Sequence, residues 1–254
     1  MNSPDPNSVS PPPVVLITGA SRRIGATLAQ RFHGAGYRVL IHYRHTHAEA
    51  CALADELNRR RDDSARLLQA DLSIEGAPEQ LAAKALAQWQ RLDLLINNAS
   101  SFYPTPFGQV SYPQWHDLLG SNLTGPFFLA QALAAELSRR GGAIINLVDV
   151  HSQKPLKDYS AYCIAKAGNA MLVQALAKEL APAVRVNGIS PGPILPPEGA
   201  ALRDDKAQQR VLERTLLGRY GSPDDIADTA LFLARQGYIT GQILAVDGGK
   251  SLYL

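Results

Sequence analysis

The segment Tyr162-Cys163-Ile164-Ala165-Lys166 sets a phenol and an ammonium four residues apart, on one face if the segment is helical. A free tyrosine ionises near pH ~10 and is a poor proton shuttle at neutrality. A neighbouring cation favours the phenolate, so the spacing predicts that Lys166 draws the Tyr162 pKa toward working pH. Such a tyrosine can exchange a proton with a reacting atom while a nicotinamide exchanges hydride. Ordinary solvated helices also carry Tyr and Lys at this interval, so the pair gains meaning from its surroundings. Tyr159 lies nearby but has no lysine four residues on.

A second chemistry is suggested by Thr18-Gly19-Ala20-Ser21-Arg22-Arg23-Ile24-Gly25. A glycine just after a strand permits a tight turn, and one inside the next helix lets that helix lie close to the sheet. The helix N–H groups can then hold a pyrophosphate. Gly19, Arg22, Arg23, Ile24 and Gly25 are therefore candidate contacts of a dinucleotide. NAD binders place an acid at the end of the second strand to accept the ribose 2′-hydroxyl. Here that end reads His42-Tyr43-Arg44-His45-Thr46, with no acid. Cations and hydroxyls suit a 2′-phosphate of about two negative charges. Arg44, His45 and Thr46, with Arg22 and Arg23, thus point to NADPH. Either cluster alone would pass for solvated surface charge.

The elements that must position these groups are visible as alternation. Short apolar runs fall at Val14–Ile17, Arg38–His42, Ala65–Gln69, Leu92–Ile96, Ala143–Val148, Val184–Ile189 and Gln242–Val246. Amphipathic stretches such as Ile24–Gly34, Ala48–Arg60, Pro78–Gln90 and Tyr159–Leu180 lie between them. Near-continuous apolar strands separated by helices predict an α/β fold: a seven-stranded, doubly wound parallel sheet with helices on both faces. No break in composition marks a second domain within residues 14–254. The segment from Met1 to Pro13 holds five prolines and is expected to be a flexible leader. A long stretch from Pro191 to Pro223, with a polar helix-prone portion around Asp204–Leu216, is expected to be a substrate loop.

Composition narrows the partners. Of 254 residues, 25 are Lys or Arg and 23 are Asp or Glu, leaving +2. Charge so balanced and scattered excludes a nucleic-acid or anionic-membrane surface as the main function. No run reaches the length of a membrane span, and the first residues lack the pattern of a secretory signal. Cys51 and Cys163 form no metal-type spacing, so two free thiols in a reducing, cytoplasmic setting are expected.

Gly19-x5-Gly25, Asp71, Asn97-Asn98-Ala99, Asn122, Tyr162-x3-Lys166, Pro191-Gly192 and Asp247-Gly248-Gly249 occur in one order. Together they resemble the short-chain dehydrogenase/reductase family over nearly the whole chain from Val14. The resemblance implies a single-domain Rossmann fold in which Tyr162 is the proton donor. It further implies that Lys166 holds the nicotinamide ribose and that Asn122 supports a proton-relay water. Asp71 and Asn98 would line the adenosine and ribose sites. Leu72, Ala99, Ser100, Pro191, Gly192 and Ile194 would also border the cofactor. A homotetramer is implied, burying the helices around Asn122–Arg140 and Tyr159–Leu180.

Two departures from the family pattern carry information. The middle glycine of the first loop is replaced by Arg23, and the usual serine thirteen residues before the tyrosine is Asp149. Ser152, ten residues before, would need an altered loop to substitute. With the string Asn97–Pro106, these departures resemble the pteridine reductase branch, including bacterial dihydromonapterin reductases. By that resemblance Arg23 contacts cofactor phosphate and pterin, Ser100 and Phe102 hold the pterin, and Asp149, Tyr162 and Lys166 act together.

The residues support the same expectation. A flat heteroaromatic ring packs well between a nicotinamide and an aromatic face such as Phe102. An ionised carboxylate at position 149 opposes the alkoxide that develops in ketone reduction. Reduction of a ring C=N instead needs hydride at carbon and a proton at nitrogen, and a carboxyl beside Tyr162 can relay it. The expected function is NADPH-dependent reduction of dihydropterin to tetrahydropterin, with oxidised pterin or dihydrofolate as further substrates. A carbonyl or 3-oxoacyl reductase and a non-catalytic NADP-sensing protein are the alternatives.

Overall fold

The computed structural model describes residues 11–195 and 205–253. Residues 1–10 of the expected leader and 196–204 of the expected substrate loop lie outside them. The strands are β1 (Val14–Ile17), β2 (Arg38–Tyr43), β3 (Ala65–Gln69), β4 (Leu94–Asn97), β5 (Ala143–Leu147), β6 (Arg185–Pro191) and β7 (Ile243–Val246). They form one parallel sheet in the order β3-β2-β1-β4-β5-β6-β7. The helices are α1 (Arg23–Gly34), α2 (His47–Arg60), α3 (Ala77–Trp89), α4 (Tyr112–Leu119), α5 (Gly125–Arg140), α6 (Ser160–Leu180), α7 (Asp205–Glu213) and α8 (Pro223–Arg235). No helix among the described residues is long and apolar enough to cross a membrane.

Successive strand residues face opposite sides of the sheet, and each side has its own core. Val15, Ile17, Val39 and Ile41 pack with Leu28 and Phe32 of α1, Leu53 and Leu57 of α2, and Ile226 and Leu233 of α8. Val14, Leu16, Leu40 and Leu95 pack with Leu81 of α3, Leu133 and Leu137 of α5, and Val173 of α6. Burial on both faces is why these strands read as unbroken apolar runs rather than as alternations.

This order creates the place for a site. The order in which strands are added to the sheet reverses between β1 and β4, and the loops leaving their carboxyl ends, Thr18-Gly19 and Asn98-Ala99, part around a crevice. Two irregular turns bring in further side chains. A π-helical turn, Gly120–Thr124, joins α4 to α5 and carries Asn122. A short 3₁₀ turn, Val150–Ser152, follows β5 and is capped by Asp149.

Candidate active site

The crevice is a cleft of about 430 Å³. Gly19, Arg22, Arg23, Ile24 and Gly25 line it at the first turn, and Arg44, His45 and Thr46 at the end of β2. Asp71, Leu72, Asn98, Ala99 and Ser100 complete its wall. Gly19 adopts φ +61°, and a Cβ on Gly25 would lie 2.1 Å from the Gly19 carbonyl oxygen. The turn therefore closes onto α1 only with glycine at both positions. Arg23, at φ 53°, holds a left-handed conformation that usually falls to glycine. No acid stands in the first turn of α1, and no side chain caps it.

The walls of this cleft are tied together by hydrogen bonds. Asn98 Nδ2 donates to the Thr18 and Gly19 carbonyls at 2.9 and 3.0 Å, so its amide shapes the glycine turn. His42, buried at the end of β2, accepts the Gly19 N–H at Nδ1 (3.1 Å), while Nε2 faces the Ala70 carbonyl at 3.2 Å. Burial lowers the His42 pKa to about 4, so the ring is neutral at ordinary pH. The Ser21 and Thr46 hydroxyls meet at 2.5 Å beside the start of α2, where Thr46 makes no side-chain cap. Arg44 turns to Asp71 (2.8 Å) and Asp117 (2.8 Å).

Beyond the cleft, the α6 residues meet the end of β5. Tyr162 is buried and its hydroxyl donates to Asp149 Oδ2 at 2.7 Å; Asp149 Oδ1 accepts the His151 N–H at 2.8 Å. Lys166, also buried, donates to the Leu147 carbonyl at 2.9 Å, and its Nζ lies 5.7 Å from the Tyr162 ring centroid. These positions correct the expected electrostatics. Burial and the adjacent Asp149 carboxylate push the Tyr162 phenol well above its ordinary range, although the Ser100 hydroxyl acts the other way. Lys166 does not reverse this, because its ammonium bonds a carbonyl rather than the phenol. Burial lowers the Lys166 pKa to about 8, against the pull of Asp149. Ser152 lies within the 3₁₀ turn.

Asn122 is wholly buried. Its Oδ1 accepts the Ser100 hydroxyl at 2.7 Å and its Nδ2 donates to the Ser101 and Leu118 carbonyls at 3.0 Å each. Its own carbonyl accepts Asn169 Nδ2 at 2.6 Å. Phe102 is half exposed, stacked on Tyr159 at 4.6 Å and edge-on to Tyr162 at 4.8 Å. Thr105 forms an isolated bridge with Tyr159, which pins the Phe102 segment to the start of α6.

Pro191, Gly192 and Ile194 are not brought into the cleft. Pro191 pairs with β7, Gly192 donates to the Val246 carbonyl at 3.0 Å, and Ile194 lines a separate depression with Asp247 and Gly248. Sequence reasoning missed His42, Asp117 and Asn169. Asn169 had a signal: an amide three residues after Lys166, on the same helical face. His42 and Asp117 had none, because their partners are remote in the chain.

A family model described as enoyl-(acyl carrier protein) reductase matches residues 19–251. Pteridine reductase 1 of Leishmania tarentolae is 36% identical, over 94% of this chain and 96% of that protein. A putative ketoacyl reductase 2 of granaticin polyketide synthase from Streptomyces violaceoruber is 34% identical, over 94% of this chain and 96% of its own. A 3-oxoacyl-[acyl-carrier-protein] reductase of Staphylococcus epidermidis is 33% identical, over 92% and 97%. With its seven-stranded parallel sheet and a match across nearly its whole length, the chain is an oxidoreductase that belongs to the short-chain dehydrogenase/reductase family.

Proposed function

We propose that the protein is an NADPH-dependent reductase of dihydropterins, yielding tetrahydropterins. The observation that carries this reading is the 2.7 Å hydrogen bond from Tyr162 to a carboxylate, Asp149. In the reduction of a ring C=N, a proton joins nitrogen and hydride joins carbon. A carboxylate beside that nitrogen favours its protonated form, which is the better hydride acceptor. The same carboxylate would destabilise the alkoxide of a reduced ketone. Similarity to a pteridine reductase supports the reading; similar identity to ketoacyl reductases supports a carbonyl reductase as the second one.

The residues fit the cofactor. Gly25 leaves a cradle that a Cβ would fill, and α1 offers first-turn N–H groups with no competing acid, which suits a pyrophosphate. The Ser21–Thr46 hydroxyl pair beside the uncapped start of α2, with Arg22 and His45 near, suits a 2′-phosphate. When bound, the nicotinamide supplies hydride. Tyr162 Oη keeps its proton through burial and Asp149, and releases it toward the substrate nitrogen. Lys166 sets the field behind the phenol and orients the ribose, while Asn122 holds Ser100 at the edge of the site. Phe102, backed by Tyr159, offers a stacking face for the substrate ring, and Arg23 a cation near its polar edge. The exposed Phe127, Phe128, Ile164 and Met171 on α5 and α6 support burial of these helices in a homotetramer. Two free thiols suit a cytoplasmic setting.

The test is turnover of 7,8-dihydropterins against ketones and a 3-oxoacyl thioester, with NADPH and with NADH. Preference for a ketone or thioester would replace this reading with the second.

A further inference from the structure

Four side chains run in an unbroken line from the cofactor cleft to the segment that carries Phe102. Asp71 Oδ2 accepts Arg44 Nε at 2.8 Å, and Arg44 Nη1 donates to Asp117 Oδ1 at 2.8 Å. The other oxygen of Asp117 accepts the Tyr103 hydroxyl at 3.0 Å. Arg44 and Asp71 line the cleft; Tyr103 does not. Tyr103 packs instead against Leu118, Ala161, Tyr162 and Cys163, at the root of the substrate wall. One carboxylate on α4 therefore faces both halves of the site.

Each link in this line is stiff. A guanidinium is a planar fork, and two carboxylates on separate edges fix both its place and its plane. The Tyr103 hydroxyl has a second acceptor, the Gln114 carbonyl, only at 3.3 Å, so Asp117 is its nearer anchor. Arg44 and Tyr103 both donate to Asp117 and so compete for the charge of one carboxylate, and the strength of one bond depends on the other.

We propose that Asp117 is a positioning residue shared by the two subsites: it holds Arg44 at the cofactor cleft and Tyr103 at the substrate wall, and transmits a change in one to the other. The proposal rests on the cofactor reading above, which gives the Arg44 cleft to the dinucleotide. A nucleotide that draws Arg44 from Asp117 leaves the carboxylate to Tyr103 alone and tightens that bond. Loss of the Tyr103 hydroxyl conversely leaves Asp117 to Arg44 and alters the grip on the nucleotide.

The experiment is a double-mutant cycle of Arg44→Met and Tyr103→Phe, neither of which alters Asp117. NADPH dissociation constants are measured by fluorescence, and KM and kcat with whichever substrate the panel shows to be turned over. Tyr103→Phe is expected to change NADPH affinity about two- to fivefold although it lies outside the cleft. It should raise substrate KM by more than it lowers kcat. In the double variant the Tyr103→Phe effect on NADPH affinity should vanish, because Arg44 no longer reads Asp117. Wild-type NADPH affinity in Tyr103→Phe, or single effects that simply multiply, would overturn the proposal. Asp117→Asn provides a second arm, expected to shift NADPH affinity and substrate KM together. If it lowers only the melting temperature, Asp117 is structural and the proposal fails. Failure of the cofactor reading looks different: the wild-type protein would bind NADH as well as NADPH. Failure of the pterin reading would appear as ketone turnover.

Discussion

Tyr162 on α6 donates its phenol proton in a 2.7 Å hydrogen bond to the Asp149 carboxylate at the end of β5. The carboxylate raises the cost of removing that proton, so under the proposed mechanism changing it should alter both the acid and the substrates it serves. Asp149→Ser is expected to bring the phenol pKa down and to lower kcat/KM for dihydropterin by about 10²-fold, within the usual range for a lost acid–base group. Activated-ketone reduction should rise as repulsion of the alkoxide is relieved. Equal pterin reduction by the serine variant would remove Asp149 from the mechanism.

Removal of the phenol itself is a sharper cut. Tyr162→Phe should lose turnover by about 10²- to 10⁴-fold with NADPH affinity nearly kept. Lys166→Ala should harm both, since it empties a buried site beside Leu147 and Tyr162. Stopped-flow turnover with parallel nucleotide titration separates the two patterns.

Cofactor choice is expected to respond to charge at the start of α2. Thr46 makes no side-chain cap to lose, and an acid suits a helix start, so Thr46→Asp should leave the melting temperature near that of the wild type. Its carboxylate would oppose a 2′-phosphate next to Ser21. NADPH affinity should fall at least about tenfold while NADH affinity holds, a difference of about 1.4 kcal/mol. Equal losses for both nucleotides would move the phosphate elsewhere.

Acid should destabilise the protein partly through His42. Its folded pKa, lowered to about 4 by burial, lies below the ordinary 6.5. Above pH ~6.5 the ring is neutral folded or unfolded and costs nothing. As pH falls from about 6.5 to about 4 only the unfolded chain takes up the proton, and stability declines by up to about 3 kcal/mol. Urea unfolding of the wild type and of His42→Asn over this range checks the sign. The wild type should show the steeper loss, with other titrating groups common to both proteins.

The glycine turn leaves little latitude. Gly25→Ala would force a methyl to 2.1 Å from the Gly19 carbonyl oxygen and 2.8 Å from Ala20 Cα, both backbone atoms that cannot swing aside. A cost of about 1–3 kcal/mol and loss of nucleotide binding are expected. Calorimetry with and without NADPH measures both effects.

Most of the frame was legible because the strands are buried on both faces, as with the wholly buried Val14–Ile17. Edges shifted where a side chain intervened. β4 begins at Leu94 rather than Leu92, whose N–H faces the Glu136 carboxylate at 3.4 Å. Local spacing exposed Gly19 with Gly25 and Tyr162 with Lys166. The contacts of Asp117 could not be read this way, because Arg44 stands 73 residues from it. The direction of the Tyr162 pKa was misread for another reason. Burial depth does not show in spacing, and here it joins Asp149 to outweigh a cation 5.7 Å from the ring.

Arg23 stands in a backbone conformation, φ 53°, that costs a side-chain-bearing residue about 1–2 kcal/mol. Glycine there would remove that strain, but it would also remove the contacts of the Arg23 side chain and free the unfolded chain. Residues kept in strained conformations are concentrated where a ligand is gripped. Under the proposed role of Arg23 at the ligand, the tension at the glycine turn would set durability against ligand affinity at a single position. Where the strain outweighs those contacts, selection for thermal tolerance alone would erode the guanidinium, whereas its retention under such selection would mark how strongly this enzyme depends on it.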